Sequence, residues 1–452
     1  MIFFESLEKY GNNTAVITEN KVHVSYRDML FCADGLVSDI PSRSLIFIVC
    51  QNSYLSICAY VGCLRKKIVP VLIMNGIETE LFDNLKETYR PSHIIRFDDS
   101  QAIVDATGFE KDFKVHDDLA LLLTTSGSTG SPKLVRQSYE NIESNAKSIS
   151  QYLKISENDR PITTMPMSYT YGLSIINSHL LMGASIVVTE KTLMDKEFWS
   201  LLKESEATTF GGVPYIYEML KRLRFERMDL PNLKILTQAG GKLSPELSFE
   251  FADICSKKGM EFIVMYGQTE ATARMSYLPF EFAISKAGSM GIAIPGGEFS
   301  LIDTNGAVIT GSDVVGELVY KGNNVTLGYA ENRFDLEKGD ERGGILETGD
   351  MAKRDADGFH YIVGRKKRFL KLFGSRVNLD EVDALLQKEG FTAVCSGKDD
   401  HLKIYITDAN SQNAVDDFIK NRTGINNKGF SIHVIDEIPR NEAGKVLYSK
   451  LD

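Results

Sequence analysis

The sequence predicts an α/β protein: a large N-terminal domain with mainly parallel sheets, a β subdomain, and a small α+β C-terminal lid. Three observations carry this reading. From about Ser44 to Gly267, short apolar runs alternate with amphipathic segments, the pattern of strand–helix–strand units. After Gly267, short strand-like runs are separated by glycine-containing stretches, which suggests antiparallel structure. From residue 366 the charge balance changes: residues 366–452 carry net +1, and residues 1–365 carry net −11.

Each element follows from its residues. Leu45–Val49, Val69–Ile73, Leu119–Leu123, Ile186–Thr189, Leu233–Leu236 and Phe262–Met265 are short and apolar enough to be buried strands. Tyr54–Leu64, Asn141–Leu153, Glu197–Glu204, Ile216–Leu223 and Pro245–Lys257 have helical patterning between them. Phe299–Asp303, Gly316–Tyr320 and Phe359–Val363 supply the β subdomain. The tail has a helix at Leu379–Gln387, a strand pair around Ser396–Asp400, a helix at Asn413–Arg422 and a strand at Phe430–Ile435. The expected domains are residues 1–365 and 366–452.

Composition narrows the function classes. The chain has 452 residues, 43% of them hydrophobic and 25% charged, and net charge −10. That supports sizeable cores and argues against a nucleic-acid coat or an anionic-membrane binder, which need basic surface. The six cysteines form no CxxC pair and are read as reduced, mostly buried thiols. No signal-like N-terminus and no run of 18 apolar residues is present, so a cytoplasmic protein without a membrane span is expected.

The first chemical feature is Thr124-Thr125-Ser126-Gly127-Ser128-Thr129-Gly130-Ser131-Pro132-Lys133, directly after an apolar strand. Hydroxyls and bare backbone N–H groups at a strand end can wrap anionic oxygens, glycine permits close approach, and Lys133 adds a cation. Pro132 before Lys133 excludes the Walker pattern.

This decapeptide resembles the phosphate loop of the adenylate-forming enzymes: acyl- and aryl-CoA synthetases, luciferases and peptide-synthetase adenylation domains. Further matches follow in the family's order: Val24-Ser25-Tyr26-Arg27-Asp28-Met29-Leu30, Tyr266-Gly267-Gln268-Thr269-Glu270, Gly316-Glu317-Leu318-Val319-Tyr320, Thr348-Gly349-Asp350, Asp357-Gly358 with Gly364-Arg365, and Pro439-Arg440-Asn441-Glu442-Ala443-Gly444-Lys445. The resemblance spans nearly the whole chain. It implies two steps: a carboxylate attacks the α-phosphorus of ATP, then a thiol displaces AMP. A carboxylate is already ionised at neutral pH, so the first step needs positioning, charge neutralisation and Mg²⁺ rather than a base.

The resemblance assigns roles. Thr125, Ser126, Gly127, Ser128, Thr129, Gly130 and Lys133 would hold phosphate. Glu270 would bind Mg²⁺, Thr269 would donate to the α-phosphate, and Tyr266 would stack on adenine, which lies against Gly240-Gly241. Asp350 and Arg365 would hold the ribose. Lys367 would be the hinge of a mobile lid, Lys371 and Gly374 would serve the thiol step, and Lys445 would neutralise charge between carboxylate and α-phosphate. Read alone, Thr269-Glu270 is a helix start, Thr348-Gly349-Asp350 a turn, and Arg365–Arg368 a solvated run or nuclear-localisation patch.

The acyl pocket departs from the family pattern. Tyr169 stands where many acyl-CoA ligases have histidine, and Thr170 where α-amino-acid activators have aspartate. Without that charge a buried ammonium is poorly satisfied. Pocket size depends on residues such as Gly212, Val213, Gln238 and Met275. Ser375 and Leu379 replace the lid's usual aromatic and proline. The expected substrates are therefore a small-molecule carboxylic acid without an α-amino group, ATP, and the thiol of CoA or of a phosphopantetheinyl acyl carrier protein. An amino-acyl carrier-protein ligase, a degenerate nucleotide-binding homologue and a luciferase-like oxygenase remain open as alternatives.

Overall fold

The computed structural model describes residues 3–98, 101–110, 112–124, 133–372, 375–423, 429–440 and 446–451. The chain divides into two compact units, Met1–Glu298 with Tyr320–Leu346, and Phe299–Val319 with Glu347–Asp452.

The first unit contains two large sheets. One has seven strands in the order Gly328–Ala330, Leu134–Ser138, Leu119–Thr124, Val69–Met74, Leu45–Cys50, His93–Phe97 and Ala102–Ala106. Its four central strands, from Leu119–Thr124 to His93–Phe97, are parallel. Its outer pairs are antiparallel. The central runs are apolar on both faces because helices cover both; the helix Tyr54–Arg65 is itself buried from Ser56 to Leu64. Ser53 starts that helix by accepting from the Ser56 amide.

The other sheet has nine strands. Glu261–Tyr266, Ile235–Gln238, Thr209–Gly212, Pro161–Ile162, Ile186–Val187 and Thr14–Ile17 run parallel in that order. Antiparallel strands extend both ends: His23–Ser25 on one side, Ser276–Tyr277 and Ile292–Ala293 on the other. The α/β fold with mainly parallel sheets is therefore present as expected. Sequence reading placed the helices it named to within two residues and did not name Tyr26–Leu36 or Thr79–Tyr89. It missed the strands Thr14–Ile17, Leu134–Ser138 and Gly328–Ala330, whose short mixed sequences show no clear period.

The second unit carries most of a four-stranded sheet, Glu298–Ile302, Gly316–Lys321, Ile345–Arg354 and His360–Arg365. It also carries the hairpin Phe369–Leu372 with Ser375–Asn378, and a three-stranded sheet, Ala393–Lys398, His401–Ile406 and Phe430–Val434. The helices Leu379–Lys388 and Gln412–Thr423 pack with these strands around Leu370, Leu386, Cys395, Ile404 and Ile419. The strand pair expected around Ser396–Asp400 is a hairpin turning at Asp399-Asp400, where Asp400 takes φ +65°.

All six cysteines are free, five of them buried. Among the described residues no helix is long and apolar enough to cross a membrane.

His179, in the buried helix Thr170–Leu181, has Nδ1 2.8 Å from the Ile175 carbonyl and Nε2 buried without a partner among the described residues. Burial pushes its pKa down from 6.5 to about 4. Between those values the unfolded chain binds a proton that the folded ring does not, so this group's contribution is lost as pH falls from 6.5 to 4. His179→Gln should flatten the acid side of the stability–pH curve by about 3 kcal/mol, measured by urea unfolding. An unchanged slope would refute this.

Candidate active site

Three adjacent parallel strands deliver the site. Gly212 lies beside Gln238, and Gln238 beside Val264. Gly212, Gly240-Gly241 and Tyr266–Glu270 therefore leave the nine-stranded sheet from one edge, at the carboxyl ends where open α/β sheets bind ligands. Gly240 has φ +82°, and a Cβ there would lie 2.7 Å from the Tyr169 hydroxyl. A Cβ on Gly212 would lie 2.7 Å from Ile216 Cγ2. Tyr169 precedes the helix Thr170–Leu181 and meets the Tyr171 ring edge-on, centroids 6.5 Å apart. The Tyr171 hydroxyl donates to the Thr237 carbonyl over 3.0 Å. Burial pushes both phenols up to about 12, so both are neutral in the physiological range.

Thr170 is buried, and its hydroxyl donates to the Thr272 carbonyl. Sequence reading placed this residue in the acyl pocket; its one hydroxyl proton is engaged inside the protein, bracing the turn that carries Glu270.

That turn is constrained at every residue. A Cβ on Gly267 would fall 1.7 Å from the Ala273 carbonyl oxygen. Gln268 donates from Nε2 to the Tyr266 hydroxyl over 3.1 Å. Thr269–Ala271 form one turn of 3₁₀-helix. Thr272 follows at φ +65°, a costly conformation for a β-branched residue. Its hydroxyl donates to the Asn324 carbonyl over 2.7 Å.

Glu270 is held at both ends. Its carbonyl accepts from the Thr326 amide at 3.0 Å, the Thr326 hydroxyl at 2.9 Å and Arg342 Nη1 at 2.9 Å. Its carboxylate Oε1 accepts from the Tyr329 hydroxyl at 2.8 Å. The Tyr329 ring carries the Lys133 ammonium 3.6 Å from its centroid and the Arg342 guanidinium at 4.7 Å. Burial, then the Glu270 charge, pushes the Tyr329 phenol up to about 12, so it remains a donor. Lys133 also lies 3.9 Å from Glu331.

These residues fit Mg²⁺. Among the described residues no group of three or more His, Cys, Asp or Glu could hold a metal. Mg²⁺ that is shared with phosphates needs only one or two carboxylates. Glu270 offers an oxygen with no partner among the described residues.

In the second unit, Asp350 and Arg365 are directly paired across the strands Ile345–Arg354 and His360–Arg365. Arg365 Nε lies 3.0 Å from Asp350 Oδ1; the aspartate is buried and the arginine exposed. The basic run Arg365–Arg368 is exposed at Arg365, Lys366 and Lys367, yet three of its four residues pair with carboxylates. Lys366 reaches buried Glu317 at 2.6 Å, and Arg368 pairs with Asp380 and with Asp383 at 2.6 Å while lying 3.8 Å from the Tyr448 ring centroid. Lys367 is exposed between them. Lys371 sits in the strand Phe369–Leu372, paired with Arg376. Thr125, Ser126, Gly127, Ser128, Thr129, Gly130, Gly374 and Lys445 lie outside the described residues.

Comparison with known proteins identifies the scaffold. The model of a family described as AMP-binding enzyme matches residues 3–330. The chain belongs to this family. The AMP-binding enzyme is 27% identical over 345 residues to the 2-succinylbenzoate–CoA ligase of Bacillus licheniformis, covering 74% of this chain and 70% of the relative. It is 30% identical over 294 residues to the oxalate–CoA ligase of Arabidopsis thaliana, covering 64% of this chain and 55% of the relative. Its fold is similar to a solved structure of O-succinylbenzoate coenzyme A synthetase (MenE) from Bacillus subtilis in complex with ATP and magnesium ion. The TM-score is 0.81 at 22% identity, covering 99% of this chain and 98% of the other.

Sequence reading of this AMP-binding enzyme missed Thr326, Tyr329 and Arg342. No local pattern marks them, since Tyr329 meets Glu270 across 59 residues of chain. Gly267→Ala should be among the most disruptive single changes in the turn. The added methyl has only backbone to displace, so nucleotide affinity should fall at least tenfold by calorimetry, alongside a lowered melting temperature. Wild-type affinity in this variant would show that the turn is not the site.

Proposed function

We propose that the chain adenylates a carboxylic acid lacking an α-amino group, using ATP and Mg²⁺, and passes the acyl group to the thiol of CoA. The family assignment makes it an AMP-forming acid–thiol ligase; the acid, the acceptor and the residue roles are the proposal. The convergence of Glu270 and Lys133 on Tyr329, beside the carboxyl ends of the sheet, carries this reading. It puts a metal-competent carboxylate and the cation of the Gly/Ser/Thr loop within one side chain of each other. The relatives are named CoA ligases, which favours CoA over a carrier protein.

Roles follow from charge. Glu270 would hold Mg²⁺, which supplies charge neutralisation on the phosphates. Lys133 and the loop Thr125–Gly130 bind phosphate oxygens, with Thr269 on the α-phosphate. Tyr266 and Gly240-Gly241 bracket the adenine. Asp350 accepts from the ribose hydroxyls and Arg365 donates to the same sugar. Lys445 draws the attacking carboxylate and the α-phosphate together, two like charges that otherwise repel. Lys371 and Gly374 serve the thiol step, and Lys367 is the hinge between residues 1–365 and 366–452. Thr170, with its hydroxyl turned to Thr272, offers no anion for an ammonium.

Acid-dependent ATP–pyrophosphate exchange across acyl, aryl, hydroxy and amino acids tests the reading. Exchange should appear with acids lacking an α-amino group. Asp350→Ala should weaken ATP binding by ~1.5–3 kcal/mol, the range for a hydrogen bond to a charged group. Exchange confined to α-amino acids would overturn the substrate class, and no exchange with any acid would overturn the reaction.

The two half-reactions should separate. Lys445→Ala should slow pyrophosphate exchange ~10²–10³-fold yet still convert a supplied acyl-adenylate to thioester. Lys367→Pro should do the reverse, because proline fixes φ at the hinge. Equal losses in both steps for both variants would remove these lysine roles.

A further inference from the structure

Tyr329, Thr326 and Arg342 lie on one stretch of chain and all grip Glu270. Thr326 and Arg342 fix its main chain through three hydrogen bonds to one carbonyl. Arg342 Nη1 also donates to the Thr326 hydroxyl at 2.8 Å, so the two grips brace each other. Tyr329 alone fixes the carboxylate, donating to Oε1 and leaving the other oxygen without a partner among the described residues. The same ring is the platform on which Lys133 rests.

We propose that Tyr329 is a positioning residue that sets the metal-binding carboxylate and the phosphate-loop lysine in register. This rests on the reading of Glu270 as the Mg²⁺ ligand. The hydroxyl and the ring have separable tasks. The hydroxyl removes rotational freedom from the Glu270 side chain and directs its remaining oxygen. The ring face attracts the Lys133 ammonium by its quadrupole and holds it 3.6 Å from the ring centroid. A neutral donor suits this place. A lysine there would compete with the metal for the carboxylate, whereas the phenol donates one hydrogen bond and stays uncharged.

Two substitutions divide the tasks. Tyr329→Phe keeps the platform and removes the donor. Partners that orient a metal ligand are typically worth about 10–100-fold in metal affinity. Tyr329→Phe should therefore raise the Mg²⁺ concentration needed for half-maximal ATP binding by that factor, read by calorimetry and by electron paramagnetic resonance of Mn²⁺ with ATP. Binding of ATP in excess chelator should stay within about twofold of wild type. Tyr329→Leu removes the platform too, and should weaken metal-free ATP binding as well, as Lys133→Met should.

Glu270→Gln separates this proposal from the reading beneath it. If Glu270→Gln leaves the metal dependence unchanged, Glu270 is not the ligand and the site reading fails. If Glu270→Gln weakens metal binding and Tyr329→Phe does not, the positioning role alone is overturned. Where both act, adding Tyr329→Phe to Glu270→Gln should produce no further loss, because the hydroxyl then has no carboxylate to orient. An additive double variant would overturn the proposal. So would equal losses in metal-free and metal-dependent binding for Tyr329→Phe, which indicate a merely structural role.

Discussion

The Arg136 guanidinium is wholly buried, and the placement of Glu270 depends on it. It donates to the carbonyls of Leu327 and Tyr329 at 3.0 Å each, to those of Gly339 at 3.2 Å and Lys338, and to the carboxylate of Glu341. A buried charge is costly unless acceptors surround it, and these surround it. The result is that residues 327–341 are fastened to the strand Leu134–Ser138, with Gly328 opposite Arg136. Gly328 must be glycine: its φ is +125°, and a Cβ would lie 2.7 Å from Glu341 Oε2 and 3.0 Å from Arg136 Nη2. Tyr329 is thereby presented to Glu270 from a fixed strand.

This arrangement explains why a single turn can combine strain and precision. Thr272 adopts an unfavourable backbone conformation directly after the Thr269–Ala271 turn, and Gly267 packs against Ala273 with no room for a methyl. Such strain persists only where surrounding contacts over-determine it. The contacts here come from Asn324, Thr326, Tyr329 and Arg342 on one side and from Thr170 on the other.

The parts legible in the sequence were those with local signals. Central parallel strands such as Leu45–Cys50 and Val69–Met74 are continuous apolar runs. The elements of the C-terminal segment, from Leu379–Lys388 to Phe430–Val434, were likewise readable from apolar runs punctuated by turn residues. Glycines with a structural necessity, Gly240 and Gly267, stood inside recognisable motifs. What was not legible is long-range and polar. Arg136 reads as an ordinary residue of a mixed strand, and only the fold reveals that its acceptors arrive about 190 to 205 residues later. Thr170 was singled out by its position, but the direction of its hydroxyl depends on Thr272, 102 residues away. The charge run Arg365–Arg368 is exposed at three positions, as it reads, but its ion-pair partners Asp350, Glu317, Asp380 and Asp383 lie outside the local window.

The fastening of Leu134–Ser138 by residues 327–341 also has a temporal meaning. On the ribosome, a nascent chain of some 300 residues already contains every central strand of both large sheets. It still lacks the strand Gly328–Ala330, so Leu134–Ser138 presents an open edge and Arg136 has none of its five acceptors. The first unit therefore cannot close behind the growing chain as a simple N-terminal domain would. It must wait through synthesis of Phe299–Val319, which belongs to the other unit, until residue 341 has emerged. Completion of the turn that carries Glu270 is thus tied to late synthesis, and a chain released early carries an exposed edge.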